Sequence, residues 1–242
     1  MLKWACLVCT ALLITAMYKD GVLPGPGELR AELVHEPLQE PISVPPVKTT
    51  VGGVTYTIEP SHTYDIYGLV VSKHNADTWW DWVHAASNDH LNVTDLCVVW
   101  GINATSGAYQ NIAFSSGQWT CNFRTDSDAA FKAFDITKIS NNHVLTDQPF
   151  LAKKLRNVRV GDQIRITGQL AAYRHKAGID FFRGTSTTRL DTGNGACETI
   201  FASDVTIIRS APNTWRILAW AAGLGVLLSA LAGFLMPYRA RD

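Results

Sequence analysis

The sequence predicts a mainly β domain, a small barrel with one or two short helices, between two transmembrane helices. Three observations support this prediction. Residues 158–175 alternate between apolar and polar side chains with the period of a β-strand. Several other short segments between residues 51 and 210 are rich in β-branched and aromatic residues. Each end of the chain carries a long apolar run, and at 242 residues the chain has room for one domain with such appendages.

The alternating stretch begins after a Gly161-Asp162 turn and predicts a strand that is half-buried on one face. That face carries Ile164, Ile166, Gly168 and Leu170. A glycine in mid-strand costs stability unless it serves a bulge, a bend or a close backbone approach. Strands of small closed barrels need such bends, so Gly168 favours a barrel.

Further strands are expected on both sides of this stretch, at residues 54–58, 64–73, 96–100, 109–114, 118–123, 198–202 and 205–209. One helix is expected to begin at Asp77 or Thr78, with Thr78 and Asp81 as a capping box. Its predicted buried face carries Trp79, Trp82, Val83 and Ala86. A second short helix is expected at residues 127–134.

This order of elements resembles an OB-fold. The features that carry the resemblance are an early long strand, the central Gly-Asp-x-Ile-x-Ile-x-Gly-x-Leu strand from Gly161, and a closing strand, Asp204 to Ile208. The resemblance implies a barrel fold and ligand binding on one barrel face. It implies no activity.

The C-terminal segment, residues 215–238, predicts a transmembrane helix. Its run from Ile217 to Met236 has Ser229 as its only polar side chain and is long enough to cross a bilayer. Arg239 and Arg241 follow in a tail at 239–242, and the positive-inside rule places that tail in the cytoplasm. The predicted location is therefore the cell membrane, with the main domain extracytoplasmic (periplasmic if the cell is Gram-negative).

Small residues recur at every fourth position of this helix, at Ala221, Gly225, Ser229 and Gly233. Such a stripe lets another helix approach closely. We interpret it as a packing surface for the protein's own N-terminal helix, for self-association, or for other membrane-protein subunits. General enrichment of small residues in membrane helices is the alternative explanation.

Residues 1–20 form either an uncleaved membrane anchor or a signal sequence. Lys3 precedes a largely apolar run from Trp4 to Met17, as in a signal peptide. The segment after it offers no good small-x-small cleavage site, which favours an anchor. Residues 21–50 contain six prolines and no aromatic residue, so we expect an extended linker, with at most a helical turn at 29–35.

Three of the five cysteines, Cys97, Cys121 and Cys197, lie in the predicted extracytoplasmic domain. Such a compartment permits disulfides. Cys97 and Cys121 lie on two strands expected to be near each other, and we predict that they are bonded. Three unpaired thiols are the alternative.

Two pairs of residues are candidate binding groups. Trp80 and His84 are i, i+4 neighbours outside the predicted buried face of the first helix, so they could form a contact surface. Arg183 and Arg189, with the backbone of the loop around Gly193–Gly195, could hold an anion. The net charge of zero makes nucleic acid an improbable partner.

Taken together, these features predict a membrane-anchored extracytoplasmic binding or scaffolding module, a subunit of a larger membrane assembly. No catalytic motif, metal site or cofactor is predicted. One alternative is an envelope-acting hydrolase that uses Ser186, His143 or Asp191. Another is a haem or metal carrier that uses His84, His90 or His175, although none of the histidine spacings matches a defined signature.

Overall fold

The computed structural model describes residues 2–191 and 197–235. The chain divides into two compact units, which we describe separately. One lies within Met1–Val22 and Pro212–Asp242, and the other is Leu23–Ala211. We call the second unit the β domain.

The first unit contains two apolar helices, α1 (Leu2–Asp20) and α6 (Thr214–Leu235). Both are long and apolar enough to cross a membrane, with mean hydropathies of 1.4 and 2.0, and few of their residues are buried by the protein itself. They pack against each other. A side chain at Gly225 would collide with Cys9, because a β-carbon built there lies 2.6 Å from its Sγ.

The β domain is mostly strand, as the sequence predicts. Its strands are β1 (Val47–Val51), β2 (Val54–Asn75), β3 (Asn92–Val99), β4 (Ala113–Gly117), β5 (Thr120–Arg124), β6 (Ile139–Leu145), β7 (Gln163–His175), β8 (Phe181–Arg183) and β9 (Glu198–Arg209). Its α-helices are short: α2 (Trp82–Ala86), α3 (Gly101–Ser106), α4 (Asp128–Ala133) and α5 (Pro149–Arg156).

Seven strands form one sheet in the order β1-β2-β3-β6-β9-β7-β8, and β2 also pairs with β7. Five strands therefore pair in a cycle that runs β2, β3, β6, β9, β7 and back to β2. All these pairings are antiparallel except that of β6 with β9, which is parallel. Strands β4 and β5 form a separate hairpin.

The apolar face predicted for the central strand is buried: Ile164, Ile166 and Leu170 of β7 lie in the main hydrophobic core. Of the roles expected for Gly168, the structure shows a close backbone approach. A β-carbon there would lie 2.9 Å from the Cα of Ala202 in β9, at a point where the pairing register of the two strands shifts. Only glycine fits such a contact without moving a strand.

Several predicted boundaries were wrong. The first two predicted strands are one continuous strand, β2, which a register shift between Pro60 and His62 accommodates. The last two are likewise the single strand β9. The segment predicted as strand at 109–114 begins with a turn of 3-10 helix, Ala108–Asn111. The helix predicted at 127–134 is confirmed as α4, with Ser127 accepting the capping hydrogen bond from the N–H of Ala130.

The segment predicted as an extended linker is packed on the β domain instead. It contains two 3-10 turns, Pro26–Glu28 and Ala31–Val34, and the side chain of Leu33 is only 1% exposed. Leu38 and Pro41 form bridges to β2, and the last residues of the segment begin β1. Scattered leucines are sufficient to anchor a proline-rich chain when a preformed apolar surface is available to receive them.

Candidate functional site

A cavity of about 760 Å³ opens beside the β4–β5 hairpin. The hairpin turn, β6, the end of β8 and the start of β9 all contribute to its wall. The polar and aromatic groups that line it include Trp119, Asn141, Arg183, Arg189, Cys197 and Glu198. It therefore combines an apolar wall with a few convergent polar groups, which is typical of a ligand site.

Trp119, in the hairpin turn, is held in a left-handed backbone conformation with φ of 62°. This conformation is costly for a bulky residue, and two contacts fix it. Its backbone N–H donates to Oδ2 of Asp95 at 2.9 Å, and its backbone oxygen accepts from Asn141. The indole ring then lies under the guanidinium of Arg183, 4.7 Å from its centre. The strained turn thus places an aromatic platform beside a cation.

A cysteine, a histidine and an aspartate lie close together at the cavity wall, and we call them the thiol cluster. Asp95 on β3 and His143 on β6 are directly opposed across the two strands. Nδ1 of His143 donates to Oδ1 of Asp95 at 2.7 Å, and both side chains are completely buried. Cys197 lies beside His143, is partly exposed and lines the cavity.

The pKa values of all three groups of the thiol cluster are shifted. Burial alone would raise the pKa of Asp95, but the adjacent His143 outweighs burial and lowers it. Burial would likewise lower the pKa of His143, yet the carboxylate of Asp95 raises it to about 9. Burial acts to raise the pKa of Cys197, but His143, Asn141 and Arg183 together outweigh burial and lower the pKa. The positive charge beside Cys197 therefore favours the ionised form of its thiol more than burial alone would allow.

Two further groups contact the thiol cluster. Nδ2 of Asn141 lies 3.5 Å from Sγ of Cys197, and it also donates to the backbone oxygen of Trp119. The guanidinium of Arg183 contacts Nε2 of His143, and its positive charge also lowers the pKa of Cys197. Both donors therefore lie where negative charge on sulfur, or on an atom bonded to it, would be stabilised.

Arg189 is held on the same cavity wall by three contacts. It pairs with Glu198, donates to the hydroxyl of Tyr64 at 2.9 Å, and lies over the rings of Tyr64 and Trp100. Burial raises the pKa of Glu198 to about 7 in spite of this ion pair. Near neutral pH Glu198 is therefore only partly ionised. Its carboxylate neutralises only part of the positive charge of Arg189.

His74, Asp81 and His84 form a buried cluster whose side chains are of the types that bind metals. Asp81 caps α2 by accepting from the N–H of His84. Its Oδ2 also lies 2.6 Å from Nε2 of His74 and 2.6 Å from Nδ1 of His84. Tetrahedral zinc bonds of about 2.0–2.1 Å would separate these atoms by about 3.3 Å. The distances are those of hydrogen bonds, so we interpret the cluster as a hydrogen-bond network that holds Asp81 in place as the cap of α2.

The prediction for α2 and the tryptophans around its start was partly wrong. The helix begins at Trp82, after Asp81, instead of at residue 77 or 78. His84 is buried, whereas Trp79, which was predicted to be buried, is 95% exposed and Trp82 is also exposed. Trp80 is 47% exposed and its ring lies 4.7 Å from that of His74. The cap by Asp81 turns the polar side of the helix inwards.

The remaining candidate residues lie as follows. Cys97 and Cys121 are at disulfide distance, with their Cα atoms 5.6 Å apart. Oγ of Ser186 bonds to the backbone oxygen of Thr188 and to Asp191, and His175 bonds to the backbone around α2. Gly193–Gly195, which were expected to supply backbone donors for an anion, lie outside the described residues. On α6, Gly233 approaches Leu2 of α1, Ser229 is half-buried and Ala221 is exposed.

Sequence reasoning named His143 only as one alternative and did not name Asp95 at all. The signal was present but weak, since Ser140-Asn141-Asn142-His143 is a polar run that does not look like a strand. It is nevertheless buried in β6. A polar run between two predicted elements of a small domain was the only available indication that a buried polar site exists.

Comparison with family models, with curated proteins and with solved structures found no match to this chain, so its site is interpreted from its own geometry alone.

Proposed function

We propose that this protein is a membrane-anchored, extracytoplasmic binding module that holds an anionic ligand in the cavity between Arg183 and Arg189. One observation carries the proposal: two arginines that are fixed by aromatic rings line the same cavity. Guanidinium groups bind carboxylates and phosphates through paired N–H donors. A pre-organised pair loses little side-chain entropy when the ligand arrives.

The fold proposed for the module is a small barrel of the OB type. Its support is the cycle of five pairings β2–β3–β6–β9–β7–β2, because OB-folds are five-stranded barrels that bind ligands on one side. The Gly168 contact with Ala202 further supports this, since barrel strands must bend sharply.

The proposed topology places the β domain outside the cytoplasm. Its support is the pair of apolar helices, α1 and α6, together with the two arginines that follow α6 in the sequence. The Cys97–Cys121 pair supports it independently, because disulfides persist in oxidising compartments. Protease protection in sealed membrane vesicles, with one tag on the β domain and one after Asp242, tests this: we expect the two tags on opposite sides.

The scaffolding part of the proposal concerns the membrane partners. The exposed Ala221 of α6 and the exposed Trp79 and Trp82 are surfaces that a second membrane subunit could cover. Affinity purification from detergent-solubilised membranes tests this, with a stoichiometric second membrane protein as the expected result.

Anion binding is tested with purified full-length protein in detergent, using inorganic phosphate and succinate as probes in low-salt calorimetry. Arg183→Gln and Arg189→Gln should each weaken binding about tenfold or more, since hydrogen bonds to charged groups contribute about 1.5–3 kcal/mol. The matched control is Arg156→Gln, because Arg156 is exposed and pairs with Asp77 at the surface. Equal affinities in the wild type and both cavity variants would contradict the proposal.

The two alternative functions receive less support. The Ser186 hydroxyl has a carboxylate partner and, among its described contacts, no histidine that would act as a base. A metal carrier would use the His74, Asp81 and His84 cluster, whose hydrogen-bond distances are too short for a bound ion.

A further inference from the structure

We propose that the cavity binds an anionic sugar, a ring that carries hydroxyl groups beside a carboxylate or a phosphate. The inference rests on the proposed function, because it assigns the negative group of the ligand to Arg183 and Arg189. It adds the body of the ligand. That body is assigned from the size of the cavity, from its apolar wall and from three polar atoms of the wall that lack partners.

The size of the cavity is the first argument. Its volume of about 760 Å³ lies within the range of sites that enclose organic ligands of drug size. An inorganic phosphate or a small dicarboxylate would leave most of that volume to water. A ligand that fills the cavity therefore has an organic body as well as a charged group.

Two buried acceptor atoms of the wall, which have no hydrogen-bond partner among the described residues, are the second argument. One is Oδ1 of Asn141, although Nδ2 of the same amide donates to the backbone of Trp119. The other is Oε2 of Glu198, whose Oε1 pairs with Arg189. The two side chains line the cavity and are only 7% and 2% exposed. An unpaired buried acceptor is unfavourable, so donors on a ligand would stabilise both oxygens.

Hydroxyl groups fit these two acceptors better than an ammonium group does. Each acceptor lies close to a cation. Glu198 pairs with Arg189, and Asn141 contacts Trp119, whose ring lies under the guanidinium of Arg183. An ammonium group at either oxygen would be repelled by the neighbouring guanidinium, whereas a hydroxyl is a neutral donor.

The remainder of the wall suits the ring of a sugar, and this is the third argument. Nε1 of Trp119 also has no partner within the described part of the chain, and a hydroxyl or ring oxygen can accept from it. The side chains of Phe123, Ile136 and Ile139 supply apolar surface beside these polar groups. The carbon face of a sugar ring can pack on such a surface while its hydroxyl groups reach the polar atoms.

The inference is tested by calorimetry on full-length protein in detergent, at low salt. The pH is about 8, at which Glu198, with its pKa of about 7, is mostly ionised. The probes are glucuronate and cyclohexanecarboxylate, two ring carboxylates of which only the first carries hydroxyl groups. Glucuronate should bind at least about tenfold more tightly, since a hydrogen bond to a charged group contributes about that factor.

The comparison is strict, because apolar burial favours cyclohexanecarboxylate and only the hydroxyl groups favour glucuronate. Glucose 6-phosphate and cyclohexyl phosphate form the matched pair for a ligand whose charged group is a phosphate. A preference of about tenfold or more for the hydroxylated member of either pair supports the inference.

Glu198→Gln tests the acceptor directly. The amide oxygen can keep the contact with Arg189, and the amide nitrogen then replaces Oε2, so a donor takes the place of an acceptor. The preference for the hydroxylated probe should fall about tenfold while phosphate binding is retained. Glu59→Gln is the matched control, because Glu59 pairs with Arg174 at the surface, and it should keep the full preference. Near-ultraviolet circular dichroism checks that both variants fold, and the wild-type comparison is decisive without them.

The outcomes separate this inference from the proposed function. Phosphate binding that depends on Arg183 and Arg189, without preference for the hydroxylated member of either pair, would overturn the sugar and leave the anion site supported. Methyl glucoside has the hydroxyl groups without the charge, and its binding as tightly as glucuronate would overturn the anion site. If neither phosphate nor any of the four ring anions binds, the proposed function and this inference are both wrong.

Discussion

Nδ1 of His143 lies 2.7 Å from Oδ1 of Asp95, and the two side chains meet across β3 and β6 with no exposure to solvent. Burying two charged groups is unfavourable unless each finds partners. Asp95 finds further donors in Asn92 and the backbone of Trp119. The pair is therefore a satisfied buried network that connects the sheet to the hairpin turn above the cavity.

This relationship predicts how stability depends on pH. The folded pKa of His143 is raised from 6.5 to about 9, so its contribution is fully present below pH 6.5 and is lost as the pH rises through 9. The shift corresponds to a contribution on the order of 3 kcal/mol. We expect the free energy of unfolding, from urea denaturation followed by tryptophan fluorescence, to fall between pH 6.5 and 9.

The matched variants for this experiment are His143→Gln and His35→Gln. His35 is exposed, so its variant should reproduce the wild-type decline. His143→Gln should be less stable at pH 6.5 and should lose most of the decline. The same slope in His143→Gln as in the wild type would show that another group titrates.

The central strand, β7, shows which features of the fold can be predicted from the sequence. Alternation in β7 identified its buried face, and a mid-strand glycine indicated the close contact at Gly168, because both are local properties of the chain. The thiol cluster of Asp95, His143 and Cys197 could not be predicted in this way. Its members are far apart in sequence, and only the pairing of β3 with β6 brings the first two together.

The contact at Gly168 predicts a sensitive position. Gly168→Ala would place a methyl group 2.9 Å from Cα of Ala202, against backbone that cannot move without disturbing the β7–β9 pairing. We expect a loss of about 1–3 kcal/mol in the free energy of unfolding. Gly27→Ala is the control, since nothing lies within 4 Å of its added carbon. Equal stability of the two variants in urea would contradict the close approach.

The tryptophans near α2 show why local periodicity failed. The i, i+3, i+4, i+7 pattern through Trp79 and Trp82 assumed that a helix begins at residue 77 or 78. Asp81 instead caps a helix that begins four or five residues later, because its carboxylate is already held by His74 from β2. A tertiary contact thus determines which residue caps the helix. Trp79 lies before that cap, outside the helix, so the helical pattern could not predict its burial.

The burial of Leu33 predicts that the proline-rich segment contributes to the stability of the fold. Its side chain packs in the second hydrophobic cluster with Val99 and Tyr109, so Leu33→Ala should lower the free energy of unfolding by about 2–4 kcal/mol. Val34→Ala is the control, because the adjacent Val34 is 49% exposed. Urea denaturation compares the two. An unchanged midpoint for Leu33→Ala would mean that the segment is a spacer after all.

The contact between Gly225 and Cys9 predicts that α1, where it is retained, can be cross-linked to α6. A β-carbon at position 225 lies 3.4 Å from Cβ of Cys9, close to the separation found in disulfides. Gly225→Cys should therefore form a disulfide with Cys9 on mild oxidation in membranes. Leu227→Cys is the control, since its side chain is exposed on α6.

The readout is protection from a maleimide reagent before, but not after, reduction, in a background with Cys6 replaced by serine. Gly225→Cys should protect both thiols, whereas Leu227→Cys should leave both open to modification. If α1 were a signal sequence and removed, no peptide containing Cys9 would be recovered and residue 225 would stay reactive. The experiment thus distinguishes a two-helix anchor, in which the small residue at 225 has a packing partner, from a single C-terminal anchor in which it has none.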